Sequence, residues 1–303
     1  MDFKQLRSFI AVIRYGSFTT AAAKLRVSQP TVSTHIRQLE EELGTPLVLR
    51  NAKRVELTAS GYKMYDQAVS MLAMHDKMLQ SMKRHESDAI YLGASSIPSG
   101  YVLPDLLSAF CKRQPEARFV ITQDSSQVVL NGMLSGLYEL GFVGMPVKED
   151  TLECVSFCRD KIVIATPNNS TFRQIDPNDR DAIVRMLREQ RIIMRKTGSA
   201  TRAAGSHILE QLGLEESDLN VFAHLNDQEA AKNLVESGMG IAWMSERAVR
   251  NRVEGGWMLT FDIPGVDASR ELCILRRKNV PLGVMAEAFF TFVTEWSDEE
   301  NVD

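Results

Sequence analysis

The hydrophobic pattern changes period near residue 87, and that change restricts the possible folds more than any other feature. Before it, apolar residues recur every three or four positions; after it, short apolar runs alternate with helical stretches. The first pattern is that of amphipathic helices, and the second is that of strands and helices in an α/β fold with a largely parallel sheet. With 303 residues, the chain is also longer than one ordinary core accommodates. More than one domain is expected.

The front begins with Leu6, Phe9, Ile10 and Ile13 on one helical stripe between Met1 and Tyr15. Gly16 stops this helix, and the Ser17 hydroxyl suits the N-cap of an alanine-rich second helix around Thr19 to Leu25. Arg26-Val27 then forms a turn. Ser28 is placed to cap a third helix from about Gln29 to Leu43, with Pro30 tolerated because it lies in the first turn. Val32, Ile36, Leu39 and Leu43 form its inward stripe, while Gln29, Thr31, Ser33, Thr34, Arg37 and Gln38 point outward. In a helix-turn-helix the second helix lies in the major groove with its N-terminal residues on the bases. Ser28, Gln29, Pro30, Thr31, Ser33, Thr34 and Arg37 are therefore the candidate reading surface. Between Leu47 and Leu57, two apolar stretches flank Arg50-Asn51-Ala52-Lys53-Arg54, which suits a small hairpin whose Arg50, Lys53 and Arg54 meet the DNA backbone. From Thr58 to about His85 the chain reads as one Pro-free helix, roughly 40 Å long at 1.5 Å per residue. It carries Tyr62, Tyr65, Val69, Leu72, Leu79 and Met82, and a second line of Met71, Met74, Met78 and Met82. Such a stripe is wider than one small neighbour covers, so a helix from another chain is its natural cover.

Charge divides at the same place. Residues 1–86 hold 13 Lys+Arg against 8 Asp+Glu, and residues 87–303 hold 22 against 31. The positive front can sit on phosphates and release condensed counterions. Overall composition, 44% apolar and 24% charged, is that of a soluble globular chain. No apolar run approaches the length of a membrane span and no secretory signal opens the chain, so a cytoplasmic location is expected. Cys111, Cys154, Cys158 and Cys273 lack CxxC spacing and read as buried reduced thiols; the five histidines show no metal spacing. No metal and no cofactor are expected. An enzyme is a poor reading, because GxSxG, GxxxxGK[ST] and GxGxxG are all absent; Gly238 and Gly240 lack the third glycine. A transporter's solute-binding protein would not need the front 86 residues.

In the body, strands are expected at Ile90 to Ala94, Phe119 to Gln123, Leu140 to Val143, Ile162 to Thr166, Arg191 to Met194, Val221 to Leu225 and Ile241 to Met244. Helices fall at Leu103 to Arg113, Gln127 to Leu137, Thr201 to Leu212 and Gln228 to Glu236. The polar stretch from Pro167 to Asn178 is where the chain is expected to cross between lobes. Ligands of open α/β sheets sit at strand C-termini, where helix N-termini favour anions. Two hydroxyl-rich segments fit that description. Ser95, Ser96, Ile97 and Ser99 follow the first strand, and Thr197, Gly198, Ser199 and Thr201 precede a later helix; facing each other, they suit a small anion or carboxylate. Their alternative role is simple capping. Asn226-Asp227 reads as a cap or a ligand contact, and Arg195-Lys196 equally as an anion attractor or an exposed basic turn.

The stretch from Ser17 to Gly61 closely resembles the signature of LysR-type transcriptional regulators, in Ser17-Phe18-Thr19, Ala21-Ala22, Leu25, Ser28-Gln29-Pro30, Ser33, Ile36, Leu39-Glu40, Leu43-Gly44, Leu47, Arg50, Leu57-Thr58 and Gly61. It departs at Val48, where that family usually has Phe, so packing behind the wing should differ slightly. More weakly, Tyr101 to Pro104 resembles the first effector-domain helix, Gly198-Ser199-Ala200-Thr201-Arg202 the interlobe loop, and Gly238-Met239-Gly240-Ile241 a glycine turn before a late strand. The resemblance implies a winged helix-turn-helix at 1–58, a linker and dimerisation helix at 59–87, and a periplasmic-binding-protein-like (type 2) α/β effector domain at 88–303. Lobe I of that domain would span about 88–164 and 267–303, and lobe II about 165–266. The implied partners are double-stranded DNA, a small-molecule effector between the lobes, RNA polymerase, and further copies of the chain in a homodimer or homotetramer.

Overall fold

A computed structural model describes residues 1–51, 54–83 and 89–296, and the side chains of 50, 51, 54, 66, 70, 73 and 76–83 lie outside the described set. The chain forms two compact units, Met1–Ser87 and Asp88–Asp303.

In the first unit, Asp2 and Gln5 form a capping box at the start of α1 (Phe3–Tyr15), which satisfies two backbone donors reciprocally. Gly16 ends α1 with φ 64, a left-handed turn that glycine takes at no steric cost. Ser17 accepts from the Thr20 amide at the start of α2 (Phe18–Leu25), and Ser28 does the same from Thr31 for α3 (Gln29–Leu43). Ala21 and Ala22 are buried against Val12 and Val32; small side chains there bring three helices together. Leu6, Phe9, Ile36 and Leu39 fill the rest of the core. Leu43 does not join them. It is the last residue of α3 and is left 43% exposed, because no described residue of this unit covers the helix end. β1 (Val48–Asn51) pairs antiparallel with β2 (Arg54–Leu57), in register Val48↔Leu57. The Glu40 carboxylate accepts from the amides of Leu47 (2.8 Å) and Val48 (3.1 Å), anchoring this hairpin to α3.

Thr58 accepts from the Gly61 amide at 2.9 Å at the start of α4 (Ala59–Lys83). A Cβ on Gly61 would lie 2.1 Å from the Leu47 carbonyl oxygen, so this position needs glycine. The covered side of α4 runs through Met64, Tyr65, Ala68 and Leu72. Tyr62 and Val69, expected on that stripe, instead face outward at 65% and 41% exposure, along with Met71 and Met74. Helical spacing placed them one position off the line that α1 covers. The side chains of Met78, Leu79 and Met82 are outside the described residues.

The second unit is two-lobed. Its first lobe takes β3 (Ala89–Ser95), α5 (Ser96–Tyr101), α6 (Leu103–Arg113), β4 (Arg118–Asp124), α7 (Ser126–Leu134) and β5 (Leu140–Val143) in chain order. β6 (Leu152–Pro167) then leads into α8 (Ser170–Arg173), α9 (Arg180–Glu189), β7 (Arg191–Arg195), α10 (Ala200–Gln211), β8 (Asn220–Leu225), α11 (Gln228–Glu236), β9 (Ala242–Ser245), α12 (Glu246–Glu254) and β10 (Met258–Phe261). β11 (Ser269–Arg277) returns to the first lobe, and α13 (Val284–Thr294) closes it.

β3 lies parallel to β4 and β5, while β11 is antiparallel to β5 and β6. The lobe crossing lies inside β6. Its residues Leu152 to Lys161 pair with β11, and from Ile162 onward it pairs with β9 and β10. The polar stretch after Pro167 therefore does not carry the crossing; its Asn169 caps α8. One strand thus belongs to the sheets of both lobes, and its backbone finds ladder partners on either side of the crossing.

Alternation along the strands builds a core on each face of each lobe. Leu272 and Ile274 join Phe110, Phe142 and Phe289 on one face, and Cys273 and Leu275 join Val129 and Met133 of α7 on the other. Ile162 and Ile164 pack with α9 and α10 residues, whereas Val163 and Ala165 pack with those of α11 and α12. Cys158 and Cys273 are buried, but Cys111 and Cys154 are only half-buried; all four are free thiols.

Candidate DNA-reading helix and interlobe cleft

At the start of α3, Ser28, Gln29, Pro30 and Arg37 are exposed, and Thr31, Ser33 and Thr34 are half-buried. The Ser28 hydroxyl meets that of Thr31 at 2.7 Å, and Gln29 Nε2 donates to Ser33 Oγ at 2.9 Å. These contacts pre-order a polar first turn. Arg37 faces Glu41 at 3.6 Å with both side chains about two-thirds exposed. A pair this exposed stabilises the helix by only ~0.3–0.5 kcal/mol, so Arg37 is free to exchange it for a phosphate or a base. Gln38 is held by Gln5 of α1, 2.9 Å away. Arg50 and Arg54 lie on β1 and β2, Arg50 opposite Val55 and Arg54 opposite Asn51; their side chains, and the whole of Lys53, are outside the described residues.

In the second unit a cleft is lined by Ser95, Ser96 and Ile97 of the first lobe's β3–α5 junction, Ser125 and Ser126 at the start of α7, and Ser199, Ala200 and Thr201 at the start of α10. Gly144, Arg195 and Arg270 complete it. Space for water in it is only about 10 Å³, near the minimum for a single water. Ser95 and Ser199 occupy N-cap positions yet make no side-chain capping bond, so their hydroxyls are not consumed by capping. By contrast, Ser125 accepts from Val128 and Ser126 from Gly144, each at 3.4 Å.

The two arginines differ in how their charge is met. Arg270 Nε donates to Asp160 Oδ2 at 2.8 Å, Nη2 lies 2.7 Å from the same oxygen, and Nη1 reaches Thr201 at 3.4 Å. Ser245 donates to the other Asp160 oxygen at 2.6 Å, so a buried carboxylate compensates this guanidinium. Arg195 is 5% exposed, yet its partners are neutral oxygens: the side chain of Gln228, the Asn226 carbonyl at 2.6 Å and Ser96 Oγ at 3.3 Å. Its Nε is buried without an acceptor, as is Gln228 Nε2. Burial holds the Arg195 guanidinium below its ordinary pKa; Asp227 opposes that shift and Arg270 adds to it.

The front unit matches the bacterial regulatory helix-turn-helix protein, lysR family, over residues 3–62. The second unit matches the LysR substrate binding domain over residues 83–298. The chain belongs to the LysR family of transcriptional regulators. This LysR-type regulator is 30% identical over 277 residues to the probable RuBisCO transcriptional regulator of Emiliania huxleyi, covering 89% of its own length and 87% of that protein. It is 27% identical over 296 residues to the RuBisCO operon transcriptional regulator of Allochromatium vinosum, with 97% and 95% coverage. Among solved structures, CbnR, a LysR family transcriptional regulator, superposes with a TM-score of 0.66 at 22% identity, covering 97% of this chain and 98% of the other. Full-length CbnR in complex with its target DNA superposes at 0.63 with 21% identity, covering 97% and 99%. The fold is shared, and the chain is a DNA-binding regulator with an effector-binding domain.

Of the cleft residues expected from sequence, Ser95, Ser96, Ile97, Ser199 and Thr201 come together around this regulator's cleft. Ser99 is half-buried on α5 outside the lining, and the exposed Thr197 and Asn226 side chains do not line it either. Asn226 contributes its carbonyl, and Asp227 caps α11. Gly198 sits between the lobes, accepting from the Gln127 amide at 3.3 Å. The segment after β3 is itself helical. It is α5, which tolerates Pro98 because that residue lies in its first turn. Arg195 is buried rather than part of an exposed basic turn; Lys196 is the exposed member.

Sequence reasoning missed Arg270, Ser125 and Ser126. Ser125-Ser126 stood between an expected strand and an expected helix, the same signal that pointed to Ser95-Ser96. Arg270 had no such signal, because β11 was not expected. Among the described residues, no cluster of three or more His, Cys, Asp or Glu could hold a metal, and no helix is long and apolar enough to cross a membrane.

Proposed function

We propose that this regulator reads duplex DNA sequence with the polar face of α3 and is controlled by a small oxyanion held between its lobes. The observation that carries the effector reading is Arg195, a buried cation with no carboxylate among its hydrogen-bond partners and with a donor unused. A buried charge without a hydrogen-bonded counter-ion is expensive; Asp227 compensates this one only at a distance, and a bound anion would relieve it. Six hydroxyl residues line the cleft against only Ile97 and Ala200 as apolar side chains, and no aromatic ring is among them. That chemistry favours a compact, many-oxygened anion such as sulfate, phosphate or a short carboxylate over an aromatic acid. Isothermal titration of the full-length protein with sulfate, phosphate and acetate tests it. Saturable binding that Arg195→Met weakens at least about tenfold is the expected result; no uptake of any of the three by the native protein would remove the reading.

On the DNA side, Gln29 and Arg37 offer bidentate donors suited to adenine and guanine respectively. Ser28, Pro30, Thr31, Ser33 and Thr34 shape the same surface, and Arg50, Lys53 and Arg54 bind phosphates. The exposed apolar side of α4, with Tyr62, Val69, Met71 and Met74, supports a homodimer through a linker helix at 59–87, and the effector domain at 88–303 would extend it to a homotetramer. Ligand would shift the population of lobe arrangements, change how linked dimers sit, and so alter DNA spacing or bending and the approach of RNA polymerase. Such a protein works in the cytoplasm. Footprinting with and without sulfate or phosphate is the check: an unchanged footprint in the presence of bound anion sinks the coupling.

A further inference from the structure

α5 belongs to the first lobe and α11 to the second, and two sets of side-chain contacts tie them together. One is at the cleft, where Arg195 bridges Ser96 of α5 to Gln228 of α11. The other lies at the far end of α5. Tyr101 Oη donates to Glu229 Oε1 at 2.7 Å and accepts from Lys232 Nζ at 2.9 Å. Lys232 is 6% exposed, and its remaining donors go to Glu229 at 2.7 Å and the Ala248 carbonyl of α12 at 3.1 Å. A buried ammonium with all three donors taken is well satisfied. Burial and the neighbouring Glu229 carboxylate push the Tyr101 phenol above its ordinary pKa, so it stays a donor.

Ser245 of the second lobe also meets Asp160 at 2.6 Å beside the crossing in β6, whereas the ties across the cleft are longer, at 3.3 Å for the Gln127 amide to Gly198 and 3.4 Å for Arg270 to Thr201. Charge-assisted bonds of 2.7–2.9 Å outweigh them. In this arrangement the cleft has about 10 Å³ of space, and the Nη1 and Nη2 of Arg195 are occupied by protein oxygens. Such a volume is near the minimum for a single water, and a tetrahedral anion is larger.

We propose that Tyr101 is a latch: held between Glu229 and Lys232, it pins α11 to α5 and keeps the cleft in an arrangement that excludes the effector. Binding then requires the latch to open, and its strength sets the anion concentration at which the regulator responds. The effect on affinity rests on the cleft being the anion site; the effect on lobe contact does not.

The test uses full-length protein in two arms. Without ligand, amide hydrogen exchange of Tyr101→Phe is compared with the native protein over segments 96–101 and 228–236. The latch predicts roughly tenfold faster exchange there, with the β3 and β7 interiors unchanged. In the second arm, sulfate is titrated calorimetrically, and Tyr101→Phe should lower the half-saturating concentration about three- to tenfold. Unchanged exchange overturns the latch, and so does weaker sulfate binding by a variant that opens faster. If native protein takes up neither sulfate nor phosphate, the anion reading fails and exchange alone decides the latch. Should Tyr101→Phe not fold, Glu229→Gln removes the same charge-assisted bond from the other side and carries the same expectations.

Discussion

Two arginines at one cleft show how residue environment decides role. Arg270 and its partner Asp160 are both almost fully buried, and removing one partner of such a pair strands the other charge. Arg270→Ala should therefore destabilise the second unit by ~3–5 kcal/mol, read as a lower urea midpoint at unchanged slope. Arg195→Met removes a cation that has only neutral partners. It should move stability by no more than ~1–2 kcal/mol in either direction while weakening anion uptake at least about tenfold. Equal destabilisation by the two variants would count against this division of labour. At the DNA surface, Gln29→Ala should relax base preference at one position of the binding site by ~1–3 kcal/mol while changing the salt dependence little; competition with single-base operator variants measures it.

The fit of α7 against its sheet depends on missing side chains. A Cβ on Gly93 of β3 or Gly132 of α7 would lie 2.3 Å from the Tyr138 ring, and one on Gly141 of β5 would lie 2.7 Å from Met133. Gly132→Ala should cost ~1–3 kcal/mol, as overpacking does, and the strain falls on the helix whose first residues line the cleft. Thermal melting with anion titration on the same variant checks both effects; an unaltered melting temperature would mean Tyr138 has room to move. The elements themselves were legible where local signals agreed. α3, α6 and α11 run between the residues that capping and apolar spacing marked, because Ser28, Pro104 and Asp227 act within one turn. β11 was not legible. Its sequence Ser-Arg-Glu-Leu-Cys-Ile-Leu-Arg-Arg has a short apolar centre between charges, and three of those charges, Arg270, Glu271 and Arg276, meet Asp160, Arg159 and Glu153 of the adjoining β6. The first half of β6 was missed for the same reason, and α13 was also not expected from its apolar run.

At the scale of the molecule, the basic front and acidic body divide the work. Binding to duplex DNA should weaken steeply as salt rises, with a slope set by the number of phosphates neutralised, and a fragment of residues 88–303 should keep anion uptake while losing DNA. The exposed line on α4 gives a third expectation. Replacing Tyr62, Val69, Met71 and Met74 by serine should lower the assembly state in sedimentation at micromolar concentration and reduce DNA affinity. If the variant sediments as the native protein does, the dimer is held elsewhere.

Local order came from the sequence itself: caps at Ser17 and Ser28, the glycine stop at Gly16, the alanine seam at 21–22 and the hydroxyl runs at strand ends act over one helical turn, where residue identity and geometry are tied together. Which charges meet was left to the tertiary structure. Arg270 finds Asp160 across 110 positions of chain, Arg195 hydrogen-bonds no carboxylate, and Tyr101 reaches Lys232 across 131. Those pairings follow from the strand crossing inside β6, and no local pattern records which distant side chains a crossing brings within hydrogen-bond reach.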